Sequence, residues 1–413
     1  MTPQQQRFAR VLKARDVVAL SFGAMVGWGW VLMSGVWVDN AGTLGTLIAF
    51  AGGGLVIGCI GLTYAELAAA MPKTGGEHVY THRALGPGPS FVCTWALLMA
   101  YATVCVFESV ALPTAVEYLW PEIRLGTLWT VLDADVDIGF VAVGITGAVV
   151  MTAINVIGIR FAAVVQTIVT VLILISGITL MTGAAFFSEG VDLNPAIAVP
   201  ATGIFAVLIM VPGMLVGFDV LPQSAEEVDL PARKIGWLLV ASLMLAVAWY
   251  AAVSLAVAVA IPEAQLADAS VATADAATVL WGAPWAGALL ILGGIGGILT
   301  SWNAFIIGGS RVLFALAESG FVPAAFARVH PRFKTPYLGV VLLGALACIS
   351  PFFGKTILGW LIDTGSFAVV VAYLFVPMAF LVLRRNESDL PRPFAVTWPR
   401  TVGTIAIVLG TGL

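Results

Sequence analysis

Apolar residues in this chain run in long blocks instead of alternating with polar ones. The blocks cover 17–38, 44–70, 90–116, 138–157, 161–187, 203–225, 235–261, 284–316, 338–353, 357–383 and 401–413. A helix needs about 20 apolar residues to cross the hydrocarbon core of a bilayer, so each block reads as a membrane span, the last cut short by the chain end. The pattern predicts an all-α integral membrane protein with a short tail at 1–16. No short apolar run with a small-residue cleavage site precedes span 1, which therefore directs its own insertion. The longest connections, 117–137 and 262–283, are too short for a soluble domain, so any activity belongs among the helices.

Two spans carry interruptions. Span 1 contains Gly23, Gly27 and Gly29 within the stretch GAMVGWGW, with Gly35 close behind. Glycine costs about 1 kcal/mol relative to alanine inside a helix, so the backbone is expected to open near Gly27 to Gly29. Open backbone at membrane depth survives only where protein or a water-filled cavity satisfies it. The alternative is a glycine face for close helix packing. Span 6 has a matching interruption, with Val211-Pro212-Gly213 followed by Gly217-Phe218-Asp219; the proline removes one helical hydrogen bond. Spans 1 and 6 lie five spans apart and cross in opposite directions, as an inverted repeat requires, and paired broken helices point to a transporter site. The expected core is a 5+5 inverted repeat, 17–187 and 203–384, with discontinuous helices 1 and 6 and at least part of an eleventh helix at 401–413.

Composition agrees. The 413 residues are 60% hydrophobic and 10% charged, with a mean hydropathy of +1.02, against about 25% charged in soluble domains. The net charge of -4 says little, but the placement of the 19 Lys and Arg residues says more. With the N-terminus cytoplasmic, only Arg124 and Lys355 fall outside, leaving 19 − 2 = 17 inside, as the positive-inside rule expects. The other side carries acids: Glu122, Asp133, Asp135, Asp137, Glu189, Asp192, Glu263, Asp268 and Asp275. Cys59, Cys93, Cys105 and Cys348 lie within spans without paired spacing, and His78, His82 and His330 lie in cytoplasmic loops. Neither a disulfide framework nor a metal site is indicated. No nucleophile–base pair appears, so the chain reads as no enzyme, with no cofactor. The basic tail is a surface segment and not a nucleic-acid arm.

The segment YAELAAAMPKTGGEHVY (64–80) followed by RALGP (83–87) resembles the cytoplasmic loop of amino acid-polyamine-organocation (APC) superfamily permeases. GAMVGWGW, GFDVLPQSAEEVDLPARKIG (217–236) and NAFIIGGSRVLFALAESGFVP (303–323) fit the same family in the same order. The resemblance implies a LeuT-type fold and solute transport. It also implies that the glycine stretch with Ala24, Gly27, Trp28 and Gly29 holds a substrate carboxylate on unpaired amides, as a helix N-terminus does. Trp28 is a departure, since many members carry a small residue there; it either fills the site or faces a helix neighbour. Related exchangers place a tryptophan gate where this chain has Gly213, so bulk has moved from span 6 to span 1. Phe305 falls at another gating position; the alternative is an ordinary lipid-facing side chain.

Within the spans, ionisable groups mark functional positions by default. Asp219 beside the span 6 break attracts an ammonium, holds a proton, or caps the following half-helix. Val211, Gly213 and Gly217 supply the carbonyls and the opening there. Glu226 and Glu227 read as a solvated salt-bridge cluster with Asp229, Arg233 and Lys234. Cationic permeases of the superfamily carry a glutamate just before the tyrosine that matches Tyr101, where this chain has Ala100. Glu108, seven residues beyond Tyr101, shares its helix face, as a displaced proton site, part of the outer vestibule, or a structural hydrogen-bonder. Asp363 reads as solvated. Proton-driven members carry a lysine in span 5; the matching position here is Ile173. Sodium would need oxygen ligands from span 1 carbonyls and span 8 hydroxyls, for which Thr300 and Ser301 are the candidates, although such hydroxyls often bond their own helix.

The expected function is a secondary active permease moving amino acids or related small amines by alternating access, coupled to H+ or Na+, across a bacterial-type inner membrane. Its partners are that substrate and the surrounding lipid, with no nucleic acid. An obligate exchanger without ion coupling and a non-transporting membrane receptor are the rivals.

Overall fold

A computed structural model describes residues 8–132, 134–188, 196–198, 202–266, 269 and 271–411. Of the acidic loop residues named above, Asp133, Glu189, Asp192 and Asp268 lie outside the described residues, as does Arg7. The helices in chain order are α1 (Ala14–Met25), α2 (Gly29–Ala70), α3 (Glu77–Leu85), α4 (Pro87–Leu119), α5 (Ile138–Ile157), α6 (Ile159–Phe187), α7 (Thr202–Met214), α8 (Val220–Gln223) and α9 (Ala232–Ala260). They continue as α10 (Glu263–Leu266), α11 (Ala272–Trp281), α12 (Pro284–Glu318), α13 (Tyr337–Ile349), α14 (Ile357–Asn386) and α15 (Pro399–Gly410). Seven of these, α2, α4, α5, α6, α9, α12 and α14, are long and apolar enough to cross a membrane, and the protein is multi-pass. A short antiparallel hairpin, β1 (Thr127–Val131) and β2 (Ala134–Asp137), decorates the connection into α5.

The expected spans map closely onto these helices. At 1.5 Å per residue, the 42 residues of α2 would far exceed one crossing. They divide at Gly42, whose φ of 73° and ψ of 172° leave the helical region, a conformation glycine adopts without steric cost. Thr46 Oγ1 lies 2.8 Å from the carbonyl oxygens of both Trp37 and Gly42, covering acceptors freed by the bend. Helix α12 is the most enclosed of the seven, with 83% of its apolar window buried, and α1, α4 and α6 pack around it.

The face that carries the N-terminus is sealed by the chain itself. The amides of Val11 and Leu12 both donate to Glu227 O at 2.9 Å, and Asp229 N donates to Leu12 O at 2.8 Å. Phe8 meets Phe314 edge-on at 5.1 Å and lies 5.9 Å from the Arg311 guanidinium. Arg311 in turn grips Glu227 through two hydrogen bonds, Nε to Oε2 at 2.9 Å and Nη2 to Oε1 at 2.8 Å, with both side chains buried. The expected solvated cluster is thereby corrected. Glu226 and Asp229 are exposed, but Glu227 is not, because the folded-back tail covers it. Asp363 is exposed as expected.

His78 is also buried, contrary to its appearance as a loop residue. Its ring bridges Thr94 Oγ1 at 2.9 Å and Ser319 Oγ at 2.7 Å, joining α3 to α4 and the end of α12. Burial, with the neighbouring His82 adding repulsion, pushes the imidazole down to about 4 from its usual 6.5. Between those values the unfolded chain binds a proton that the folded chain does not. Stability therefore falls as pH drops from about 6.5 towards 4. Thermal unfolding in detergent across that window should show a steeper decline for the wild type than for His78→Gln, and equal slopes would remove His78 as the cause.

The Arg311–Glu227 pair gives a second expectation. Arg311→Met leaves a buried carboxylate without its partner, a loss of about 3–5 kcal/mol. Adding Glu227→Leu should recover most of it in the same unfolding measurement.

Candidate functional site

The span 1 break forms as the glycines suggest. Helix α1 ends at Met25, Val26 N closes the last turn on Phe22 O at 2.9 Å, and α2 restarts at Gly29. Between them, the amides of Gly27, Trp28, Gly29 and Trp30 donate to no backbone carbonyl among the described residues, the first closing bond of α2 being Val31 N to Trp28 O at 3.1 Å. These amides and the positive end of the α2 dipole make a place for an anion. On the carbonyl side, Tyr250 of α9 donates its hydroxyl to Met25 O at 2.8 Å.

Helix α12 backs the break through two glycines. A Cβ on Gly297 would collide with the Gly27 carbonyl, and a Cβ on Gly294 would collide with the Trp28 ring. Trp28 is therefore buried flat against α12, at 4% exposure.

The span 6 break lies further along than Val211-Pro212-Gly213 suggests, a correction to its expected place. Helix α7 continues through Pro212 and Gly213 to Met214, and Val211 O still accepts from Leu215 N at 3.2 Å. The proline removes only its own N–H and leaves the turn intact. The opening comes at 215–219, around Gly217, whose φ of 125° is a glycine conformation. The Val211 side chain packs on Gly53 of α2, away from the break in α1, while Gly213 is exposed with Ser366 Oγ of α14 as its one close side-chain neighbour, 3.7 Å from where a Cβ would stand. The carbonyls of Gly213, Met214, Leu215 and Val216 accept no backbone bond among the described residues.

The two breaks touch. A Cβ on Gly217 would come within 2.6 Å of Ala24 Cβ and 2.8 Å of its backbone carbon, and a Cβ on Gly29 within 2.7 Å of Met214 Sδ. The break in α1, with its free amides, thus packs directly against the break after α7, with its free carbonyls.

Below the breaks, Asp219 is fully buried. It accepts from Tyr101 OH of α4, from Tyr373 OH of α14 at 2.7 Å and from Gly217 N at 2.9 Å. It makes no side-chain cap bond to α8, so the capping reading is set aside. Phe305 is buried against Tyr101, with ring centroids 5.1 Å apart, and is not lipid-facing. The sequence did not single out Tyr373, Tyr250 or buried Glu77, which lies against Gln223 beneath Asp219. A lone aromatic in an apolar span and an acid in a predicted loop carry no local signal of these contacts.

The coupling candidates separate. Thr300 Oγ1 stands 3.0 Å from both Gly296 O and Gly297 O, held by its own helix. Ser301 Oγ and Glu108 Oε1 both reach the span 1 break, 3.4 and 3.5 Å from where a Cβ on Gly27 would be. Ile173 is buried against Gly296. Deeper along α6, Gln166 donates to Ala19 O at 3.1 Å and accepts from Asn303 Nδ2 at 2.8 Å, while Asn303 Oδ1 accepts from Asn155 at 2.8 Å. No group of three or more metal-ligating side chains occurs among the described residues.

Comparison with known proteins follows this geometry. The amino acid permease family profile matches residues 12–411. A branched-chain amino acid permease of Bacillus subtilis is 26% identical over 98% of this chain and 88% of its own length. A methylthioribose transporter of the same organism is 24% identical over 98% and 87%. A mouse cationic amino acid transporter is 28% identical over 92% of this chain and 61% of its own.

The tight approach of the breaks is testable. Gly217→Ala forces a left-handed conformation costing about 1–2 kcal/mol and drives a methyl into Ala24 backbone, which cannot yield. Gly213→Ala meets only ordinary contact. Unfolding should show a loss of at least about 2 kcal/mol for the first and a change within about 0.5 kcal/mol for the second.

Proposed function

The chain belongs to the amino acid permease family, and from that premise we propose that it carries zwitterionic amino acids by alternating access across a plasma membrane. The contact between the two breaks supports this reading most directly. The substrate carboxylate lies on the amides of Gly27 to Trp30, and its ammonium faces the free carbonyls of Gly213 to Val216. This moves the ammonium partners beyond Val211, whose carbonyl remains in the helix. Asp219, engaged by three donors, acts by fixing the Gly217 turn and by its charge. The N-terminal face is cytoplasmic, in line with the 17 of 19 basic residues assigned there from the 19 in the sequence.

Thr300 donates its hydroxyl hydrogen to its own helix, which leaves its oxygen lone pairs available to a cation.

Ligand-induced thermal stabilisation of purified protein tests the reading. A ligand bound only by the folded state at 100 times its Kd adds about 2.7 kcal/mol. Neutral amino acids should stabilise, whereas their methyl esters and the corresponding amines should not. Stabilisation by amines alone, or by a neutral sugar-like solute where amino acids fail, would sink the carboxylate site. In the same assay Trp28→Ser should move selectivity towards bulkier side chains by opening space over Gly294; an unchanged profile would place the indole outside the substrate volume.

A further inference from the structure

The search for further chemistry converges on Glu108. It sits two thirds of the way along α4, is 2% exposed, and directs one carboxyl oxygen towards Gly27 and the Ser301 hydroxyl. Its other oxygen, Oε2, is buried with no hydrogen-bond partner among the described residues. The titratable groups that act on it or feel it are Cys105 of its own helix and Tyr250 of α9, neither of them a cation. No ion pair to it occurs among the described residues. The nearest basic residue on α12, Arg311, is ten residues from Ser301, about 15 Å along a helix, and is held by Glu227. An acid so placed in a span is a functional position by default.

We infer that Glu108 carries the proton that enters with each substrate molecule. The inference rests on the reading that the substrate carboxylate binds the amides beside Gly27. That anion would then lie next to Glu108, and two carboxylates sharing one water-poor site cannot both be ionised. The substrate therefore binds when Glu108 is protonated. The proton arrives from water on the outer side, occupies the carboxyl while the cavity is closed, and returns to water as the opposite side opens. No covalent bond other than the O–H is made or broken. Glu108 thus fills the role for which Ile173 offers no amine.

Three measurements on the full chain in detergent and proteoliposomes decide the matter. In weakly buffered solution on the alkaline side, where the carboxyl of the free protein is ionised, adding a stabilising amino acid to wild type should take up close to one proton per molecule bound, without sodium. Its apparent Kd should weaken by up to tenfold per pH unit on the alkaline side, and Glu108→Gln, a fixed stand-in for the neutral acid, should abolish both effects. In vesicles, the variant should lose accumulation driven by an inward proton gradient while exchange of labelled for unlabelled substrate persists. Binding without proton uptake by wild type would overturn the inference and leave the amino acid site intact, as would gradient-driven accumulation by the variant. Absence of amino acid binding in either protein would instead remove the site on which the inference stands. Loss of exchange with normal folding would place Glu108 among the substrate contacts and overturn the proton role.

Discussion

Lipid offers no hydrogen bonds, so any backbone opened inside a membrane must be satisfied by protein, water or solute. The rest of this structure is arranged around that constraint. Opening α1 at Met25 and α7 at Met214 frees amides and carbonyls near the centre of the bundle. Tyr250 answers one carbonyl, and the carboxylate of Asp219 answers the Gly217 amide. The groups that remain unanswered are concentrated where the breaks meet. Helix α12 lends glycines at 294 and 297 so that the break can lie against it without a side chain between. An enclosed helix rich in glycine is what lets open backbone persist at this depth.

Asp219 links this opening to the closed N-terminal face. A carboxylate has about four acceptor positions, and here three donors from α4, α14 and the break itself engage it. Each donor belongs to an element that would have to separate for a path to open below the site. Phe305 packs on one of those tyrosines, and the tail over Arg311 and Glu227 closes the level beneath. The closure is therefore layered, with polar ties near the breaks and the chain's own N-terminal segment outside them. With three of its acceptor positions engaged in these ties, Asp219 has at most one left for a further donor.

The spans and the span 1 break were legible because their signals are local. Twenty apolar residues in a row, or three glycines in seven, keep their meaning whatever packs beside them. The span 6 break was legible in kind but misplaced in position. Pro212 looks like the stronger breaker, yet a proline removes one bond, while Gly217 takes the backbone out of the helical region through a positive φ. The burial of His78, Glu77 and Glu227 was not legible. Each sits in a polar stretch between spans, and its burial depends on where α3, α8 and the N-terminal tail fold back. That information is tertiary. Trp28 was ambiguous for the same reason, since its direction is set by an absence of side chain at Gly294.

Charge balance within the site explains two departures together. In proton-driven members of the family, a lysine in the fifth span supplies a positive charge beside the first break. This chain places Ile173 against Gly296 at that position and fills the deeper part of the interface with neutral amides, Asn155, Asn303 and Gln166. With no fixed cation, the span 1 break has only backbone dipoles to attract an anion, and a nearby ionised carboxylate would cancel much of that attraction. On the proposed reading Glu108 becomes neutral when the anion arrives, and its mobile proton takes the electrostatic part that the resemblance to proton-driven permeases assigns to a fixed amine.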